Sequence, residues 1–126
     1  MMAKALREAV RRVIAENPTE ITVQRKEKVE QDGGFVEQEN AVGPFTVRIF
    51  QKESSALPQT VSTLAGTAQV DTRWGLLADH TADIRAGSNV VDEFEAAGQR
   101  FRIIAVYPHI LGDQIISYIA DLERMN

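Results

Sequence analysis

The stretch Arg100-Phe101-Arg102-Ile103-Ile104-Ala105-Val106-Tyr107-Pro108 decides the fold. In an extended chain Phe101, Ile103, Ala105 and Tyr107 fall on one face, and Ile104 and Val106 on the other. A run apolar on both faces predicts a central strand. Upstream, Ala97-Gly98-Gln99 reads as a hairpin turn that joins this strand to another at Val91–Glu95, with Phe94 inward. Gly87-Ser88-Asn89 marks a further turn, and Trp74–Leu77 a further strand. Downstream, Pro108 and Gly112-Asp113 bound a loop. In the last segment Ile116, Tyr118, Ala120 and Leu122 alternate as in a strand, while Ile115, Ile116, Ile119 and Leu122 also fit a helical stripe. Its β-branched residues and Tyr118 favour the strand. Short strands separated by Gly and Asp turns predict a mainly β chain, a small barrel or sandwich.

The first half adds three features. Leu6, Val10, Val13 and Ile14 recur at helical spacing, so residues 3–16 read as a helix ended by Asn17-Pro18. So short a helix is marginal alone and must dock on something. Ile21, Val23 and Arg25 alternate with Thr22, Gln24 and Lys26 as a strand, followed by a turn at Asp32-Gly33-Gly34. Phe35-Val36 begins a return strand that frays over Glu37–Asn40. Gly43-Pro44 punctuates again before a clearer strand with Phe45, Val47 and Ile49 on one face. From Lys52 to about Val70 the chain is polar and weakly patterned, with Leu57, Val61 and Leu64 as its large apolar residues. A connection of that length is usually functional or disordered, and it reads as a projecting loop.

The chain has 126 residues, which predicts one domain, 1–126. It is 44% apolar and 25% charged, with a net charge of −4 and no cysteine. That charge opposes broad binding to a phosphate backbone. The absence of cysteine removes disulfides, thiolate catalysis and Cys-based metal sites. No apolar run approaches the roughly 20 residues of a membrane span.

Candidate chemistry is thin. Asp79, His80 and Asp83 invite a metal or hydrolase reading, but His80 has no second imidazole nearby, and His109 lies far along the chain. The blander reading makes Asp79 and Asp83 turn or cap residues and His80 a surface side chain. The serines after Ser54 lack a nucleophile elbow, and Gly33-Gly34 lacks the Lys that completes a phosphate loop. Asp92, Glu93 and Glu95 read as an outward, solvated edge around Phe94. Nucleic-acid binding would call for aromatics interleaved with basic residues on one face. Arg100, Phe101 and Arg102 come nearest, yet alternation puts Phe101 opposite the arginines. The expectation is therefore no enzyme, no cofactor and no metal. A nucleic-acid-binding small barrel is the alternative function.

Trp74-Gly75-Leu76-Leu77, Asp83-Ile84-Arg85-Ala86-Gly87 and Phe101–Pro108 together resemble the head–tail connector (head-closure, stopper) family of tailed phages and prophages. The resemblance covers roughly residues 19–125 through loose hydrophobic patterns. It is equally compatible with a stopper, an adaptor or a tail terminator. It implies a small β-barrel that self-associates as a ring, meets portal, adaptor and tail proteins, and lets DNA pass without specific binding. It implies a place in the virion, and in the bacterial cytoplasm during assembly. The loop from Lys52 to Val70 would face the DNA channel or a neighbouring ring. Lys52, Leu57, Val61 and Leu64 on the loop, with Leu6 and Val10 on the helix, would then make contacts. Trp74, Gly87, Phe101, Ile103, Val106 and Pro108 would serve structure, with Trp74, Phe101 and Ile103 in the core. The helix departs from the simpler family pattern, either capping the barrel or joining subunits.

Overall fold

In the computed structural model, residues 2–52 and 71–125 are described. Helix α1 (Met2–Glu16) precedes six strands: β1 (Thr19–Gln31), β2 (Gly34–Gln51), β3 (Asp71–Asp79), β4 (Val90–Ala96), β5 (Gln99–Leu111) and β6 (Gln114–Met125). The strands close into an antiparallel barrel in the order β1-β2-β3-β6-β5-β4, with β4 pairing back onto β1. The mainly β barrel with an N-terminal helix is thus present. The expected contacts Leu57, Val61 and Leu64 lie outside the described residues.

Alternation builds the core. Ile21, Val23, Val47, Leu76, Phe94, Phe101, Ile103 and Leu122 point inward and form one buried cluster. Trp74 packs edge-on against Phe101 at 5.3 Å, and Phe101 stacks on Phe94 at 5.5 Å. Such aromatic geometries add to area burial. Phe101 and Ile103 are buried in the cluster, and Trp74 packs against it half-buried.

Several boundaries differ from the sequence reading. Residues 34–51 make one strand, β2, rather than a frayed return strand and a second one. Gly43, at φ 117°, and Pro44 form an irregularity inside it, where pairing slips between Ile21 and Val23. A bulge absorbs the extra residues without ending the strand. Pro108 likewise bounds no loop: it lies within β5 opposite Tyr118, and the turn is Gly112-Asp113 alone. The register of β5 slips between Ile103 and Ala105. Beyond that slip the faces exchange, so Val106 packs on the core and Tyr107 is 54% exposed. Perfect alternation had put Tyr107 inward with Phe101. Gly87 lies in a bend, but its φ is not in the left-handed region and an added Cβ would meet only Val90 at 3.7 Å. The bend does not demand glycine.

Helix α1 lies against β2, β3 and β6. Ala3 and Ile14 are buried there, apart from the barrel's own cluster. Arg7 donates from Nε and Nη2 to the Ile115 carbonyl at 3.0 and 2.7 Å. Arg48 on β2 donates to the Val13 carbonyl at 3.0 Å. Arg7 thus occupies a backbone acceptor near the start of β6, and Arg48 one of the orphan carbonyls in the last turn of the helix. The helix is thus docked on its own barrel.

Candidate assembly surface

Strand direction organises the ends of the barrel. β1 and β5 both run antiparallel to β4, so their hairpin turns, Asp32-Gly33 and Gly112-Asp113, lie at the same end. β1 pairs with β4 only from Gln24 to Glu27, and β2 with β3 only from Arg48 to Gln51. Beyond those pairings β1 and β2 continue as a two-stranded ribbon whose residues Gly34–Ala41 are all exposed. The β5–β6 ribbon behaves similarly, with Tyr107, Pro108, His109 and Ile110 exposed. One two-residue turn, with positive φ at both Asp32 and Gly33, closes the first ribbon in register.

The root of the β1–β2 ribbon is held by a buried charge cluster. Arg25 lies on the inward face of β1 after Ile21 and Val23, and is 4% exposed. It grips the fully buried Asp92 of β4 in a two-pronged pair, Nε to Oδ1 at 2.8 Å and Nη2 to Oδ2 at 2.9 Å. Its Nη1 donates to Asp83 Oδ2 at 3.0 Å, and Nη2 to the Asp83 carbonyl at 2.9 Å. The Arg85 backbone N–H completes Asp92 at 2.7 Å. A buried guanidinium is tolerated because each prong finds an acceptor. The hydrogen bond to Asp92 raises the Arg25 pKa, burial opposes it, and Asp83 reinforces it. The hydrogen bond that Asp83 itself accepts from Arg25 holds its carboxyl below the ordinary value, again against burial. This cluster ties the irregular 80–89 segment to β1 and β4.

Three sequence expectations are corrected here, for Asp92, Asp83 and Glu93. Asp92 does not face solvent with Glu95; it faces inward beside Phe94's side of the strand, which alternation from Phe94 itself would have said. Asp83 is not a turn residue but an acceptor for Arg25. Glu93 is on the other face, yet it is also nearly buried, because Arg100 and Arg102 close over it at 2.8 and 3.0 Å. Burial works against its charge, but Arg102 and Arg100 outweigh that and lower its pKa. The two arginines nearest to a nucleic-acid motif therefore face a carboxylate.

The hydrolase trio does not converge. Asp79 accepts from Thr81 N at 2.8 Å and from the Thr81 hydroxyl, as a turn residue does. Asp83 is directed to Arg25. His80 is half-buried, and its Nδ1 is buried without a hydrogen-bond partner. Among the described residues no group of three His, Cys, Asp or Glu side chains could hold a metal ion, and no helix is long and apolar enough to cross a membrane.

The remaining contact candidates divide. Lys52 pairs with Asp121, which also accepts from the Tyr107 hydroxyl at 3.1 Å. That hydrogen bond raises the tyrosine's pKa. Leu6 is exposed, and Val10 is half-buried under the helix. Not anticipated from sequence were Phe35 and Val36 at the ribbon tip, and Ile119 beside Tyr107 on the outer face. Phe35-Val36 next to a Gly-Gly turn was the available signal. Ile119 had none, because β6 fits two periodicities.

No protein-family model matches the chain, and no curated protein or solved structure matches it.

Proposed function

We propose that the protein is an assembly subunit, a structural virion protein that joins head and tail by forming a ring that closes or bridges the portal channel. The observation that carries the assembly reading is where the large apolar side chains go. The barrel interior is filled by its own side chains, while Phe35, Tyr107, Ile110 and Ile119 stand exposed on ribbons and outer face. Exposed apolar side chains gathered on projecting elements suit protein contacts. The two ribbons leave the same end of the barrel, so they would reach one neighbouring layer together. The resemblance of residues 19–125 to head–tail connectors supplies the setting: portal or adaptor on one side, tail proteins on the other.

The reading also fits the charge. A net of −4 in a subunit lining a channel would let DNA pass without holding it. The test is co-assembly with portal and tail components of tailed phages, followed by crosslinking and electron microscopy. Rings seated between portal and tail are expected. A protein that joins no portal, adaptor or tail component sinks the proposal, and tight salt-dependent retention on single-stranded DNA would replace it with a nucleic-acid-binding barrel.

A further inference from the structure

We infer that the β1–β2 ribbon of one copy docks, Phe35 first, on helix α1 and the adjoining β6 face of the next copy. The inference rests on the ring-assembly reading and names its contact.

The docking face starts on the helix. Met2, Leu6, Ala9 and Val13 are spaced by four, three and four residues, so they form one line along α1. Ala3, Val10 and Ile14 form the adjacent line, against the barrel. The apolar arc is thus wider than the barrel covers: Met2, Leu6 and Val13 remain exposed. On the opposite flank Arg11 reaches Asp79 at the end of β3, at 3.8 Å. The uncovered line therefore falls on the flank toward the next outward row of the sheet. In that row Leu77, Ile119 and Tyr107 are neighbours across β3, β6 and β5.

The knob is Phe35, 71% exposed, with Val36 beside it. Its exposure means that its own copy does not cover it. Charge selects the pairing. From Lys26 to Asn40 the ribbon carries two lysines against Glu27, Glu30, Asp32, Glu37 and Glu39. Helix α1 carries Lys4 and Arg12 on its solvent side and Arg7 and Arg11 on the flank turned to its own barrel, against Glu8 and Glu16, so the helix as a whole is net basic. An acidic knob and a net basic helix attract across copies, whereas two ribbons or two helices would repel. Knob and face occupy different places on the molecule, so the contact is head-to-tail and propagates into a ring or a filament.

The cysteine-free chain makes a direct test possible. Phe35→Cys and Leu6→Cys are made separately, both at exposed positions, and their folding is checked by circular dichroism. Mixed in concentrated solution under mild oxidation, they are expected to give a disulfide-linked heterodimer in excess of the homodimer of either variant alone. High salt should reduce that excess, as should Glu37→Lys with Glu39→Lys in the Phe35→Cys chain. Reversing Lys4 and Arg12 to Glu in the Leu6→Cys chain should restore it. No heterodimer, or homodimers in equal amount, overturns the inference. Co-assembly with a portal without the heterodimer would fail this contact and leave the assembly reading standing. The heterodimer without any portal or tail association would do the reverse.

Discussion

The two halves of β1 are one strand with two fates. From Thr19 to Arg25 every second side chain is buried: Ile21, Val23 and Arg25. From Lys26 to Gln31 no side chain is buried, with Glu27 and Val29 half-buried, and beyond Glu27 the strand leaves the barrel. Backbone pairing with β2 continues through both halves. The difference lies in what stands opposite the inward face: core side chains and Asp92 in the first half, solvent in the second. Pairing keeps a ribbon in shape, but burial gives it stability, so the same kind of substitution should have unequal effects in the two halves.

Substitutions in the buried half should be the most severe. Phe94→Ala removes a buried ring stacked on Phe101, and is expected to destabilise by about 3–5 kcal/mol, read from urea unfolding. A loss below about 1 kcal/mol would mean that the barrel collapses to fill the space. Next, Asp92→Ala leaves the buried Arg25 guanidinium with Asp83 alone. A loss of roughly 3 kcal/mol is expected, whereas the joint change Arg25→Met with Asp92→Leu should cost much less, since it leaves no unpaired charge. Equal losses for the single and the joint change would show that packing, not charge pairing, sets the effect.

A smaller effect is expected at Gly75. A Cβ there would sit 2.5 Å from the Phe50 ring, so Gly75→Ala must displace that side chain. About 1–2 kcal/mol is expected, with Phe50→Ala suppressing it in the double variant. The pH dependence comes next. Asp83 has its pKa depressed in the folded protein, chiefly by Arg25. Its contribution is therefore present above the unfolded value of 3.8 and is lost as pH falls through the lower, folded one. Stability should fall below about pH 4, and the slope should be shallower in Asp83→Asn, measured by urea midpoints across pH 6 to 3. An unchanged slope would place the acid sensitivity elsewhere, with Glu93, also depressed, next in line. In the exposed half the effect should nearly vanish: Phe35→Ser is expected to move stability by no more than about 0.5 kcal/mol. A larger loss would mean that the ribbon tip folds back onto its own barrel.

Much of the barrel was legible because its strands alternate. Phe94, Phe101, Ile103 and Trp74 are large and apolar, and the inward face of each strand follows from two or three such residues. Register slips were not legible. Whether Tyr107 or Val106 faces inward depends on one unpaired residue at Ile104, and a bulge leaves no local mark when all its neighbours are apolar. Gly43-Pro44 misled in the opposite sense, since turn residues inside a strand look like its end. Arg25 was placed on the same face as Ile21 and Val23 by alternation, yet its burial needs two acids, Asp83 and Asp92, far along the chain. The exposed Ile119–Tyr107 pair was hidden for the same reason. The helix stripe showed that α1 must dock, but not which part of its apolar arc the barrel would cover.

The sequence by itself determined a mainly β chain, an amphipathic first helix, the inward aromatic residues and the hairpin turns, because these depend on periodicity and local backbone preference. Only the tertiary structure decided that the strands close into a barrel, that two ribbons leave the same end, and that Arg25 has its partners. Those outcomes come from contacts between residues distant in sequence, where pairing register and burial are settled jointly by the whole chain rather than by any one segment.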